Sequence, residues 1–170
     1  MKAVSFLFLI LLGTVCHAQK QAPPSEKFTI EGEVKRPLTF SMADLDSFPV
    51  KSLPDIAITD HKGTVKHTIT RLKGVSLKDI LARAEISAEN PKVLSEFYFE
   101  FVATDHYKVV FSWNELFNTQ TGNNAYIVMG EDGKDIKDLP GRVSMIVMTD
   151  LTTGRRHMSN IEKIMVLRAK

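Results

Sequence analysis

Apolar and polar side chains alternate along most of the chain from Phe28 onward. In the clearest example, Phe97, Phe99 and Phe101 are separated by residues of other character. A period of two is typical of a half-buried β-strand. Runs of this kind, together with short continuous apolar runs, predict strands at 28–34, 56–59, 64–72, 97–102, 107–111, 125–129, 143–148 and 160–167.

Three serines mark the starts of short helices. Ser41, Ser76 and Ser112 are each followed three residues later by an acidic residue, the arrangement of a capping box. The spacing behind the second serine predicts a helix with one apolar face, formed by Leu77, Ile80, Leu81 and Ala84. Because strands outnumber helices and many connections look like hairpins, we predict an α+β fold of mostly antiparallel or mixed β-sheet with short helices.

The first residues follow a different pattern. An apolar run from Ala3 to Val15 is followed by Cys16 and Ala18 at positions −3 and −1 of a signal-peptidase site. A run of about 13 apolar residues suits a signal peptide and is short of the roughly 20 that a membrane span needs. We therefore expect residues 1–18 to be a signal peptide cleaved after Ala18, and the protein to be exported, periplasmic or secreted. The alternative is an uncleaved leader that acts as a membrane anchor.

The remaining chain is predicted to form one domain. Residues 19–27 contain Pro23 and Pro24 without apolar periodicity, which indicates a flexible lead-in, so we place the domain at residues 28–170. A chain of this length buries enough surface to fold without disulfides or metals. Cleavage removes the only cysteine, Cys16, so the mature chain has no thiolate for metal binding or catalysis.

Charge argues against nucleic acid as a partner. Removing Lys2 from the 22 basic residues leaves 21, against 20 acidic residues. Proteins that bind nucleic acid depend on clustered basic side chains, and this balance is close to neutral.

Two histidines near one turn raise the question of a metal site. His61 and His67 are six residues apart around a predicted turn at Lys62 and Gly63. In that hairpin His61 pairs with Thr64 and His67 pairs with Ile58, which separates the imidazoles by about 10 Å. We therefore interpret both as solvated hairpin histidines and assign no metal ligands.

Two further groups are candidates for ligand binding. Asp105 and His106 lie at a predicted turn, where the aspartate either orients the imidazole for acid–base chemistry or simply forms the turn. The other group is a compact basic cluster after Gly154 that either holds a phosphate or other anion or keeps a loop soluble. It consists of Arg155, Arg156 and His157, with Arg142 and Lys163 as further members.

Four segments in the same order resemble the molybdopterin-binding domain of the sulfite oxidase type. They are residues 28–40, residues 73–81, residues 103–116 and residues 140–164. The resemblance extends over roughly residues 28–167. It implies an α+β arrangement of mixed and antiparallel sheets, and a molybdenum–pterin cofactor that supports oxygen-atom transfer in catalytic members.

The resemblance also assigns positions to the cofactor. The family holds molybdenum through a cysteine at a strand end, where this chain has Asp60-His61-Lys62-Gly63, with His61 nearest to the cysteine. A basic residue of the family corresponds to Ser144. The resulting cofactor-binding candidates are His61, Asp105, His106, Arg142, Arg155, Arg156 and His157.

Three hypotheses of function follow. The first is an exported molybdopterin-binding-domain-like protein that has lost redox chemistry and acts as a ligand-binding or accessory module for a small anionic or pterin-like ligand. The second is an active molybdopterin-dependent oxidoreductase that transfers oxygen atoms or electrons and binds its cofactor without cysteine. The third is a protein-interaction module of the cell envelope.

Overall fold

The computed structural model describes residues 23–170. The predicted signal peptide and residues 19–22 of the predicted lead-in lie outside the described residues. Twelve strands, four short α-helices and three 3-10 helices make up the described part. None of these helices is both long and apolar enough to cross a membrane.

A five-stranded mixed sheet carries most of the core. Its strands lie in the order β2, β1, β12, β7, β8. Strands β1 and β12 are parallel, and the other neighbours are antiparallel. As predicted, Phe97, Phe99 and Phe101 are buried on one face. The strands are β1 (Lys27–Gly32), β2 (Leu38–Ser41), β7 (Phe97–Ala103), β8 (Lys108–Ser112) and β12 (Ile161–Arg168).

A second sheet lies between two apolar clusters. Its order is β10, β9, β6, β3, and β11 also pairs with β9. Ile127 of β9 packs in the main core, while Tyr126 and Val128 pack against a separate hairpin. Because β9 is buried on both faces, apolar and polar residues do not alternate along it. The strands are β3 (Val50–Ser52), β6 (Lys73–Ser76), β9 (Ala125–Glu131), β10 (Lys134–Asp135) and β11 (Met145–Val147).

The separate hairpin consists of β4 (Ile56–Thr59) and β5 (Val65–Ile69). Ile58 pairs with His67, as predicted. The predicted pairing of His61 with Thr64 is wrong, because the Asp60 N–H donates to the Thr64 carbonyl at 2.9 Å and His61 lies in the turn.

The strand predicted at 64–72 is two strands in the structure. The chain leaves the extended conformation at Arg71, whose φ is 50°, and residues from Lys73 onward join the second sheet as β6. The short strands β2, β3 and β10 were not predicted.

Two of the three capping boxes are complete. Ser41 and Ser112 exchange hydrogen bonds with Asp44 and Glu115, whereas Ser76 only accepts from the backbone N–H of Asp79. The α-helices are α1 (Met42–Leu45), α2 (Leu77–Leu81), α3 (Trp113–Phe117) and α4 (Gln120–Asn123). The 3-10 helices are Pro91–Glu96, Ile136–Asp138 and Thr153–Arg155.

The described part of the predicted lead-in contacts the domain. The Thr104 hydroxyl donates to the Pro23 carbonyl at 2.9 Å, and the Ser25 side chain is buried. Strand β1 begins at Lys27, inside the predicted lead-in.

Candidate functional site

The candidate site lies around the end of β4, where the Asp60–Gly63 turn follows the strand. Asp60 Oδ1 accepts the backbone N–H groups of Lys62 at 2.8 Å and Thr64 at 3.0 Å. Lys66 Nζ lies 3.1 Å from the other carboxylate oxygen. These bonds, that from Lys62 first, lower the pKa of Asp60 to about 2. The carboxylate is therefore committed to the turn, and the neighbouring His61 is exposed to solvent.

A loop from Thr149 to His157, here called the clamp loop, packs against β4. The Thr153 hydroxyl donates to the Ala57 carbonyl at 2.7 Å and accepts the Thr59 N–H at 3.0 Å. The Thr153 hydroxyl thus takes the place of the backbone groups of a neighbouring strand, as hydrogen-bond partner of one carbonyl and one N–H of β4. A Cβ on Gly154 would stand 2.1 Å from the Thr59 carbonyl oxygen, so only glycine permits this approach.

Arg156 fixes the other side of the clamp loop. Its Nε donates to Asp150 Oδ2 at 2.8 Å, its Nη2 to Asp150 Oδ1 at 2.5 Å, and its Nη1 to Glu115 Oε1 at 3.1 Å. The guanidinium also lies over the Phe111 ring, 4.6 Å from its centroid. Hydrogen bonding to Asp150 is the first cause of a raised pKa for Arg156. A guanidinium held in this way forms ion pairs that stabilise the structure.

The turn between β7 and β8 also contacts the clamp loop. Asp105 accepts the Tyr107 N–H at 2.9 Å, which uses its carboxylate to form the turn. His106 is exposed and has a φ of 69°, and the Tyr107 hydroxyl donates to the Arg155 carbonyl at 2.9 Å. The Asp105 carboxylate bonds to the turn backbone and makes no hydrogen bond to the His106 side chain. This favours the interpretation of Asp105 as a turn former.

His157 ends the clamp loop in a half-buried position. Its N–H donates to the Thr153 carbonyl at 3.1 Å. Burial, followed by the nearby charge of His67, lowers the pKa of His157. Folding therefore favours the neutral imidazole over the protonated one.

The predicted basic cluster is only partly available to a ligand. Arg142 pairs with Glu26 at 2.5 Å, and Lys163 pairs with Glu31 at 3.1 Å on the first sheet. Arg155 is exposed and has no ion pair within the described residues. It borders a shallow groove of about 480 Å³ whose lining includes Leu151, which is 98% exposed.

The sequence did not indicate the groups that hold the clamp loop. Thr153 and Asp150 were not candidates, and Glu115 was recognised only as a helix cap. Thr153 is 94 residues from its partner Thr59, and Arg156 is 41 residues from Glu115. A local sequence pattern does not reveal contacts between residues so far apart along the chain.

The two packed sheets and the short helices agree with the arrangement expected of a molybdopterin-binding domain. The profile of the oxidoreductase molybdopterin binding domain family matches residues 16–169. The chain therefore belongs to this family, and both the predicted resemblance and the predicted α+β class are confirmed.

Comparison with solved structures gives the same fold. The crystal structure of the sulfane dehydrogenase SoxCD from Paracoccus pantotrophus is 15% identical in sequence, with a TM-score of 0.57. The match covers 82% of this chain and 37% of the SoxCD chain, so this protein spans little more than a third of that chain. No curated protein sequence matches this chain.

The donor groups at the end of β4 do not fit the molybdenum centre that the resemblance implies. A soft thiolate is the expected ligand, and the described residues contain no cysteine. His61 is a harder donor on an exposed turn, and the adjacent Asp60 carboxylate is already bonded. Within residues 23–170, no group of three His, Cys, Asp or Glu side chains is placed to hold a metal ion.

Proposed function

We propose that this protein is an exported member of the molybdopterin-binding domain family that has lost oxygen-atom transfer and serves as a ligand-binding or accessory module. One observation carries the proposal. At the strand end where the resemblance places a metal-binding cysteine, the chain has the self-contained Asp60–Gly63 turn.

The clamp loop supports the loss of cofactor chemistry. A pterin phosphate would require free donors, yet the Arg156 guanidinium uses three of its nitrogens on Asp150 and Glu115. Diverting it to a ligand would leave the Asp150 carboxylate, 9% exposed, without a partner. Such an exchange is costly when a carboxylate is this buried.

Exposed apolar side chains favour an interaction role over a catalytic one. Leu151 is 98% exposed at the tip of the clamp loop, and Tyr107, which is hydrogen-bonded to that loop, is 48% exposed. Large apolar side chains exposed in one region often mark a contact site for another protein. The interaction-module hypothesis is therefore our second candidate.

Metal and pterin analysis tests the proposal most simply. The full chain would be exported through its own leader in a host that makes molybdenum cofactor, with a cysteine-containing family member expressed beside it as a positive control. We expect molybdenum and pterin only in the control. Stoichiometric molybdenum in this protein would overturn the proposal and favour the oxidoreductase with non-cysteine ligation.

Two matched variants then locate any metal that is found. His61→Ala removes the imidazole nearest to the family's cysteine, whereas His106→Ala removes an exposed imidazole from a different turn. Loss of molybdenum from the first variant alone would assign His61 as the ligand.

The export part of the proposal has its own measurement. Intact mass of the exported protein is expected to match a chain that begins at Gln19. A mass that includes residues 1–18, recovered with the membrane fraction, would favour the uncleaved anchor.

A further inference from the structure

A second basic concavity lies at the opposite end of the β4–β5 hairpin from His61. Its volume is about 220 Å³, and its lining includes Arg71, Lys73 and Lys134. We call it the cationic pocket. It shares no lining residue with the groove beside the clamp loop.

Two glycines keep the floor of the cationic pocket open. Gly130 of β9 pairs with Lys73 on one side and with Asp135 on the other, so no side chain stands between those two. A Cβ on Gly133 would lie 2.8 Å from the Arg71 guanidinium carbon. Gly133 also has a φ of 84°, which favours glycine. The guanidinium therefore packs directly on the turn backbone.

Hydrogen bonds from one guanidinium nitrogen and from the backbone N–H hold Arg71 in place before any ligand arrives. Its Nη2 donates to the Asp132 carbonyl at 2.6 Å, and its backbone N–H donates to Asp55 Oδ1 at 3.1 Å. Asp132 in turn accepts the Thr70 N–H at 2.8 Å and the Thr70 hydroxyl at 3.0 Å. Rotamer freedom that is already lost in the free protein does not have to be lost on binding.

The backbone at Arg71 is strained. Its φ of 50° is a conformation that non-glycine residues rarely adopt, whereas the φ of 50° at Asp132 is that of the two-residue turn between Glu131 and Lys134. Such positions persist where the surrounding bonds enforce them, and they concentrate at ligand sites.

The charges of the cationic pocket are not neutralised by ion pairs. Among the described residues, none of the ion pairs involves Arg71, Lys73 or Lys134. The lining contains one carboxylate, Asp135, which accepts the Lys137 N–H at 3.4 Å as a helix cap. Two carboxylates outside the lining also act on the cations, Asp132 on Arg71 and Glu131 on Lys134, so the charge of Lys73 is the least offset and the most available to an anion.

We propose that the cationic pocket binds a small tetrahedral oxyanion, inorganic phosphate or sulfate, with Arg71 and Lys73 as its ligands. Arg71 supplies the guanidinium fork and Lys73 supplies a mobile ammonium group. The volume admits one such group with its first waters. This site is independent of the proposed loss of redox chemistry.

Calorimetric titration of the full-length exported protein tests the site. Phosphate and sulfate would be added at constant ionic strength, with chloride as the matched anion. We expect saturable binding of at least one oxyanion and none of chloride. Lys73→Gln should weaken binding about tenfold, since a hydrogen bond to a charged group is worth about 1.5 kcal/mol or more.

Two further variants make the test specific. Lys92→Gln changes an exposed lysine that lies outside the cationic pocket and has no ion pair in the described chain, so it should leave the affinity unchanged. Asp135→Asn keeps the helix cap and removes the opposing charge, so it should strengthen binding. Absence of saturable binding, equal losses in Lys73→Gln and Lys92→Gln, or weaker binding by Asp135→Asn would each overturn the proposal.

Discussion

The two ends of the β4–β5 hairpin use positive charge in different ways. At the end near His61, Arg156 is bonded to two carboxylates and lies over an aromatic ring. At the other end, Arg71, Lys73 and Lys134 surround a concavity and form no ion pair within the described residues. Paired charges hold a loop in place, whereas unpaired charges are available to a ligand. The end at which the sequence resemblance led us to expect the cofactor is thus the end whose charges hold a loop in place.

Arg156→Ala is the strongest test of that difference. It should lower the free energy of unfolding by about 3 kcal/mol, because it leaves the buried Asp150 carboxylate without its bidentate partner. Urea denaturation measures the loss. Arg155→Ala, which removes an exposed neighbour without an ion pair, should change stability by less than about 0.5 kcal/mol. Equal losses in the two variants would show that Arg156 is not a structural residue.

Thr153→Val should have the next largest effect. The valine keeps the shape of the side chain but leaves the Thr59 N–H and the Ala57 carbonyl without their partner, at a cost of about 2 kcal/mol. The adjacent Thr152→Val serves as the control, since the Thr152 side chain makes no capping hydrogen bond. Denaturation curves that coincide for the two variants would contradict the role assigned to the Thr153 hydroxyl.

The stability of the clamp-loop end should also depend on pH through His157. Burial lowers its pKa below the ordinary 6.5, so on acidification the unfolded chain takes up this proton before the folded chain does. The folded state therefore loses stability as the pH falls below about 6.5. His157→Gln should flatten that decline, and His106→Gln, at an exposed position, should not. A decline that is unchanged in His157→Gln would refute the assignment.

The smallest effect concerns the aspartates of the two turns. The pKa of Asp60 is lowered to about 2 by its bonds to Lys62 and Lys66, and the pKa of Asp132 is lowered by its bonds to Thr70. Each contributes stability that is present above the ordinary value of 3.8 and is lost as the pH falls through the folded value. Carboxyl chemical shifts should show both groups titrating below 3.8, and Asp60→Asn should remove one transition. Titration of Asp60 at its ordinary value would contradict the turn geometry.

The sequence predicted the elements that local chemistry specifies. Alternation located β7, and the serine caps located the first residues of α1, α2 and α3, although α2 ends at Leu81, before the predicted Ala84. The interruption of the predicted strand at Arg71 was missed because it depends on hydrogen bonds to Asp55 and Asp132, which are distant in sequence.

The candidate site was predicted less completely than the fold. Arg156 was identified as a candidate from its charge, but its partners Asp150 and Glu115 became evident only when β8, α3 and the clamp loop packed together. The cationic pocket was missed because Arg71, Lys73 and Lys134 come from a bend and two strands that a linear pattern does not bring together.

Amide chemical shifts recorded during a phosphate titration would test the difference between the two ends most directly, since both are observed in one experiment. At constant ionic strength, we expect saturable shifts at Lys73, Gly130 and Lys134 and none beyond those caused by chloride at Arg155 and Arg156. Saturable shifts confined to Arg155 and Arg156 would contradict the account, because they would place the anion site on the clamp loop and leave the cationic pocket without a ligand.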